Sequence, residues 1–158
     1  AQTLSRMQLA PAKPARSVVV ALDLLDFETI DGVTFVQGDF REAGVTTALE
    51  HALGGRSVDL LVSDLAPNLS GIESADAARM ADLVEEALAF ACKHLKADSA
   101  MVAKVFHGSG YTQLVEAFKR QFRTVKAHKP KASRDRSAET FLVGLGHRAS
   151  TPGTKAVG

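Results

Sequence analysis

The sequence predicts an α/β fold, an open and mostly parallel sheet with helical crossovers and an antiparallel pair of strands at one edge. Three observations carry this. Short apolar runs bounded by turn residues alternate with stretches of helical apolar spacing, the pattern of a parallel sheet. Successive runs finish at an aspartate, which places a carboxylate at the edge where open α/β sheets bind their ligands. The last two runs are separated only by residues 129–138, too few for a helical crossover, so they are expected to pair antiparallel.

Residues 1–9 hold Leu4, Met7 and Leu9 and read as the end of a helix, which Pro11 and Pro14 terminate. Residues 17–22 form a continuous apolar strand finishing at Asp23, and residues 33–37 a shorter one finishing at Gly38 and Asp39. A short helix over 46–53 stops at Gly54 and Gly55. The next strand, 58–62, leads into Ser63 and Asp64. Pro67 cannot continue a ladder and Asn68 and Gly71 suit turn geometry, so Asp64 stands at the carboxyl end of this strand. Ser74 has the chemistry of an N-cap for a helix over 75–95, with Asp76 in its first turn and Lys93, His94 and Lys96 near its end, as the helix dipole favours. A strand over 100–106 carries Lys104 in its apolar interior. An amphipathic helix over 111–122, a strand over 123–127 and a final strand over 139–145, opened by Glu139, complete a domain spanning 1–147. From about Arg148 onward, Ser, Thr, Pro and Gly read as a disordered tail.

At 158 residues and 46% hydrophobic content the chain fits one soluble domain with a real core. No apolar run approaches the roughly 20 residues of a membrane helix, and no signal-peptide pattern opens the chain. The single Cys92 cannot form an internal disulfide, which favours the cytoplasm, and it lies on the apolar face of a helix rather than in a nucleophile's setting. The five histidines show no ligand spacing, so no metal site is expected and they read as surface or loop residues. Gly108, Ser109 and Gly110 resemble a phosphate loop and, with the sheet, are the only support for a nucleotide-dependent oxidoreductase. Gln113 replaces the third glycine of that fingerprint, so the segment reads better as a flexible turn at a substrate mouth.

The net charge of +1 conceals an asymmetry. Residues 1–92 hold 6 Lys/Arg against 14 Asp/Glu, and residues 93–158 hold 13 against 4. The stretch 119–136 alone has eight basic residues against Asp135 and reads as a phosphate-facing surface, the alternative being a solvated loop that happens to be basic. Asp64, Lys104 and Glu139 come from three separate strands. A lysine inside an apolar strand is expensive to bury unless it is paired or functional, the alternative being a stem that snorkels at a sheet edge.

Taken in order, ALDLL at 21–25, VTFVQGDFRE at 33–42, VDLLVSDLAPNLSG at 58–71, VAKVFHGSGY at 102–111 and KPKASRDRSAETFLVGLG at 129–146 resemble the RrmJ/FtsJ family of ribosomal RNA ribose 2′-O-methyltransferases. The resemblance implies a Rossmann-like sheet and transfer of a methyl group from S-adenosylmethionine to the ribose 2′-hydroxyl of a uridine in 23S rRNA of the large ribosomal subunit. It further implies a cytoplasmic protein, monomeric when full length. The family's Lys-Asp-Lys-Glu tetrad maps its last three members onto Asp64, Lys104 and Glu139. Lys104 would act either as base or as orienter of the hydroxyl. Asp23 would hold the cofactor ribose and Asp39 the adenine amino group. Phe40 either stacks nearby or belongs to the core, and Asp64 would lie near the sulfonium. Lys129, Lys131, Arg134 and Arg136 would contact RNA. The tetrad's first lysine, the family's first strand and its glycine-rich loop have no counterpart in these residues. A sheet lacking that central strand would leave backbone groups unpaired at two edges, at about 1 to 3 kcal/mol for each buried group. An additional N-terminal portion or a rearranged, swapped arrangement is therefore expected, and the alternative function is that of a noncatalytic RNA-binding module on a methyltransferase-like fold.

Overall fold

A computed structural model describes residues 17–130 and 139–149. The helix expected over 1–9 lies outside the described residues, as do residues 150–158 of the tail expected from about Arg148, while the Arg148 amide donates to the Gln121 carbonyl at 2.7 Å. The chain divides into two compact units, Ala1–Gly55 and Arg56–Gly158.

In the first unit, β1 (Val19–Asp23) and β2 (Val33–Gln37) pair in parallel, in register from Val19 with Val33 to Asp23 with Gln37. The amide of Gly38 donates to the carbonyl of Asp23 at 2.9 Å, which ties the ends of both strands together. Helix α1 (Ala43–Leu53) begins earlier than expected and buries Val45 and Leu49, one turn apart on a single face. Gly38 has φ +153°, and a Cβ there would lie 2.4 Å from a Val45 methyl, so only glycine lets the chain pass this closely.

The second unit holds β3 (Val58–Ser63), α2 (Glu73–His94), β4 (Leu95–Phe106), α3 (Tyr111–Gln121), β5 (Phe122–His128) and β6 (Glu139–His147). Its four strands stand in the order β3-β4-β6-β5. β3 and β4 are parallel, while β6 runs antiparallel to both β4 and β5. Three of the four strands therefore point the same way. The last two strands do pair antiparallel, with β5 outermost. What local spacing could not reveal is that β6 inserts between β4 and β5, because strand order is set by nonlocal packing.

The two faces of this sheet differ. Alternation along β4 sends Met101, Ala103 and Val105 to one face, where all are sealed from solvent together with Leu142 of β6. α2 contributes Met80, Val84 and Ala91, and α3 contributes Leu114 and Phe118, to the unit's fully buried apolar set. The opposite face, with Leu60 and Val62 of β3 and Leu145 of β6, stays substantially exposed. Gly144 is required by packing, since a Cβ there would come within 2.5 Å of the Phe122 ring.

Three local expectations are corrected. Ser74 does not cap α2. Ile72 occupies the N-cap position without a side-chain bond, and the loop's polar groups are taken instead by Asp76. β4 starts directly after α2, with an irregular register opposite Val58–Leu60 and Asp98 at φ +64°, a conformation that spacing does not signal. His147 is not a surface residue. It is almost fully buried, its Nδ1–H donates to the Lys96 carbonyl at 3.2 Å, and its ring lies against Phe122, which is why an imidazole can end a buried strand.

Candidate active site

The pleat of β4 turns Lys104 away from the sealed core, toward the open face of the sheet. Ser63, the last residue of β3, pairs with Ala103, so Asp64 follows at the level of Lys104. The ammonium Nζ lies 3.0 Å from Asp64 Oδ1, with the lysine side chain 13% exposed and the aspartate 72%. A cation this far out of water needs a counter-ion, and Asp64 supplies it. Asp64 itself remains open to an incoming ligand. Glu139 pairs with Phe106 at the start of β6, and Phe141 is the register partner of Lys104. Positions two apart share a face, so Glu139 belongs to the same side of the sheet as Lys104. The structure thus joins Asp64 to Lys104 directly and sets Glu139 on the adjacent strand.

The loop after Asp64 has a clamp that sequence reading missed. Asp76 Oδ1 accepts from the Ser70 amide at 2.8 Å and the Ser70 hydroxyl at 2.7 Å, and Oδ2 accepts from the Gly71 amide at 3.1 Å. These bonds, the Ser70 amide and hydroxyl foremost, hold the Asp76 carboxyl below the usual carboxylate range, and Arg79 adds to the effect. Asp76 had been read only as a favourable charge in a first helical turn. The available signal was a serine-glycine turn followed within two helical turns by an acid that could reach back to it.

In the first unit, Asp23 ends β1, and its Oδ1 accepts the Leu25 amide at 3.0 Å. Asp39 is held by Arg41: Oδ1 accepts the amide at 2.9 Å and Nε at 3.0 Å, and Oδ2 accepts Nη2 at 2.7 Å. The Arg41 side chain, then its amide, lower the Asp39 carboxyl to about 2. Phe40 is half-buried, and its carbonyl accepts the Thr46 hydroxyl at 3.3 Å. Arg41 is the second residue that sequence reading passed over.

Lys129 is exposed just beyond β5, while Lys131, Arg134 and Arg136 lie outside the described residues. Cys92 is a free, half-buried thiol whose pKa burial raises, the opposite of an activated nucleophile. Gly110 at the start of α3 has φ +86°, and a Cβ there would lie 2.6 Å from that of Ala81, so this glycine serves helix packing. Among the described residues no group of three or more His, Cys, Asp or Glu could hold a metal ion, and no helix is long and apolar enough to cross a membrane.

An acid and a lysine at the ends of adjacent parallel strands are joined, over residues 3–147, by a match to the profile of FtsJ-like methyltransferases. The chain belongs to the FtsJ-like methyltransferase family. Among its relatives, ribosomal RNA large subunit methyltransferase E of Paracidovorax citrulli is 58% identical over 147 residues, covering 90% of this chain and 67% of its own length. The enzyme of the same name from Leptothrix cholodnii is 64% identical over 132 residues, covering 84% and 57%. The chain thus spans between 57% and 67% of the length of these two relatives. The fold also matches a Plasmodium falciparum chain described as a ribosomal RNA methyltransferase, with a TM-score of 0.74 at 22% identity, over 84% of this chain and 74% of that one. The α/β fold, with mostly parallel strands in the two sheets of the described residues, is therefore the fold of this FtsJ-like family member.

Proposed function

We propose that the complete protein transfers a methyl group from S-adenosylmethionine to a ribose 2′-hydroxyl of ribosomal RNA, that of a uridine in the 23S rRNA of the large subunit, with residues 1–147 as its methyltransferase domain. The observation that carries this reading is the pairing of the largely buried Lys104 with the open Asp64, in a family whose relatives are named for large-subunit rRNA methylation. The described residues have chemistry that fits the cofactor's adenosine end. Asp23 sits at a strand terminus where Oδ1 accepts the Leu25 amide, and a carboxylate has acceptor capacity beyond one such bond for ribose hydroxyls. Asp39 keeps lone pairs on Oδ2 for an amino group, and Phe40 follows it in sequence. When bound, the cofactor supplies an electrophilic methyl group on a positively charged sulfur.

The chain's own residues would then hold and orient. Asp64 offers negative charge where the sulfonium's positive charge lies. Lys104, 3.0 Å from Asp64, serves either as base or as orienter of the 2′-oxygen, and Glu139 adds a carboxylate on the same face. Alignment of the 2′-oxygen with the transferred methyl group would supply much of the rate, and the hydroxyl proton would pass to Lys104 where it acts as base, or otherwise to solvent. Lys129, Lys131, Arg134 and Arg136 contact RNA phosphates. The protein works as a cytoplasmic monomer.

The test is Lys104→Ala in the complete natural protein, assayed by tritiated methyl transfer to large ribosomal subunits alongside calorimetric titration of S-adenosylmethionine. Transfer should fall by about 10² to 10⁴ while cofactor affinity stays within a few fold. Near-normal turnover would reject the assignment.

A further inference from the structure

The loop that leaves Asp64 is fixed more firmly than its exposure requires. Asp76, only 6% exposed, takes three hydrogen bonds from Ser70 and Gly71. Arg79 lies 3.6 Å from the same carboxylate and donates to the Asn68 carbonyl at 3.4 Å. Gly71 has φ +83°, a turn that other residues adopt only under strain, and Pro67 stiffens the approach. Yet the side chains this framework displays are Leu69 and Ile72, 67% and 62% exposed. Single exposed apolar residues need no explanation. Two of them on a clamped loop that begins at the acid of the candidate site gain the fold nothing, and a loop ordered in advance has little entropy left to lose when a ligand lands on it.

We propose, on the basis of the RNA-methylation reading above, that residues 68–72 form a preorganised apolar lip against which the nucleobase of the acceptor nucleotide packs, with Asp76 as the positioning residue of that lip. A ribose presented to Asp64 and Lys104 carries its base a few ångströms away, and a nucleotide whose ribose enters such a site loses stacking with its neighbours. An apolar side chain offered to the base face replaces part of that contact. Phosphate fits this position poorly, because the nearby cations are already engaged, Lys104 with Asp64 and Arg79 with Asp76 and the Asn68 carbonyl, and residues 65–72 themselves carry no basic side chain. The lip therefore acts through apolar contact rather than charge.

The decisive variant is the surface pair Leu69→Ala with Ile72→Ala in the complete natural protein. The KM for large ribosomal subunits should rise about tenfold, as expected when two apolar side chains each lose part of their contact in the complex. The affinity for S-adenosylmethionine and the slope of RNA binding against salt should not change. Asp76→Asn should raise the same KM and speed hydrogen exchange at the Ser70 and Gly71 amides. If that variant does not fold, the surface pair decides alone. An unchanged KM in the surface pair overturns the lip, as does a rise accompanied by a flatter salt slope, which would mark phosphate contact. Unchanged exchange at Ser70 and Gly71 in folded Asp76→Asn overturns the role given to Asp76. Failure of the unmodified protein to bind S-adenosylmethionine or to methylate RNA would instead remove the underlying reading, and is seen before any variant is made.

Discussion

The two units of this chain keep their shape by different means. In Arg56–Gly158, side chains of two helices and of the sheet close on one another until Met80, Met101, Ala103 and Phe118 are wholly excluded from solvent. In Ala1–Gly55, the buried apolar side chains among the described residues are Val45 and Leu49, each still 9% exposed. Order there depends more on local polar contacts, with Asp23 holding the turn at Leu25 and Asp39 holding Arg41. Packing fixes the acid and lysine of the second unit from beneath, whereas turns fix the acids of the first from the side. Damage should therefore spread through the second unit and stay local in the first.

The largest effect that tests this contrast is Phe118→Ala. Phe118 stacks near Phe122 and is fully buried, so its loss should cost about 3 to 5 kcal/mol in denaturant unfolding. The matching change in the first unit, Val45→Ala, removes less from a site that is already less tightly sealed. It should appear as faster hydrogen exchange in β1 and β2, with the amides of β4 unaffected. Equal losses from the two substitutions would break the contrast. Next in size is Gly144→Ala, which adds one methyl against the Phe122 ring and should cost about 1 to 3 kcal/mol by overpacking. A variant as stable as the parent would mean that the β5–β6 contact is loose after all.

How much of this could be read beforehand follows the same division between local and nonlocal causes. Each strand and helix of the described residues lay in the spacing of apolar residues, and so did Lys104, conspicuous as a charge inside an apolar strand. That Asp64 and Lys104 meet was not legible, since spacing placed the acid at the end of one strand and the lysine inside another, and the parallel register of β3 with β4 is what brings them level. Nor was the place of β6 between β4 and β5, because nothing local distinguishes a strand with two neighbours from one with a single neighbour. The burial of His147 escaped for a related reason: its hydrogen-bond partner, Lys96, lies 51 residues away. Asp76 was hidden by a plausible alternative, as an acid in a first helical turn is favourable with or without a loop to clamp.

The smallest expected effect separates the two clamped acids by what holds them. Asp39 is lowered from its ordinary value of 3.8 to about 2, chiefly by the Arg41 side chain. Asp76 is lowered chiefly by the Ser70 amide and hydroxyl, with Arg79 last among the causes. In both, the folded carboxyl is more acidic than the unfolded one. Each therefore contributes stability that is fully present above the unfolded value and lost as pH falls, for Asp39 between about 4 and about 2. The charged partner makes the difference testable. Arg41→Ala should return Asp39 much of the way to its ordinary value, since only the amide bond survives, whereas Arg79→Ala should leave Asp76 low. Salt at about 1 M, where the screening length is about 3 Å, should raise Asp39 more than Asp76, because the exposed Arg41 is screened and a backbone amide is not. Carboxyl-carbon NMR titrations of both residues would show this, and equal responses to salt would mean that the two units hold their acids in the same way.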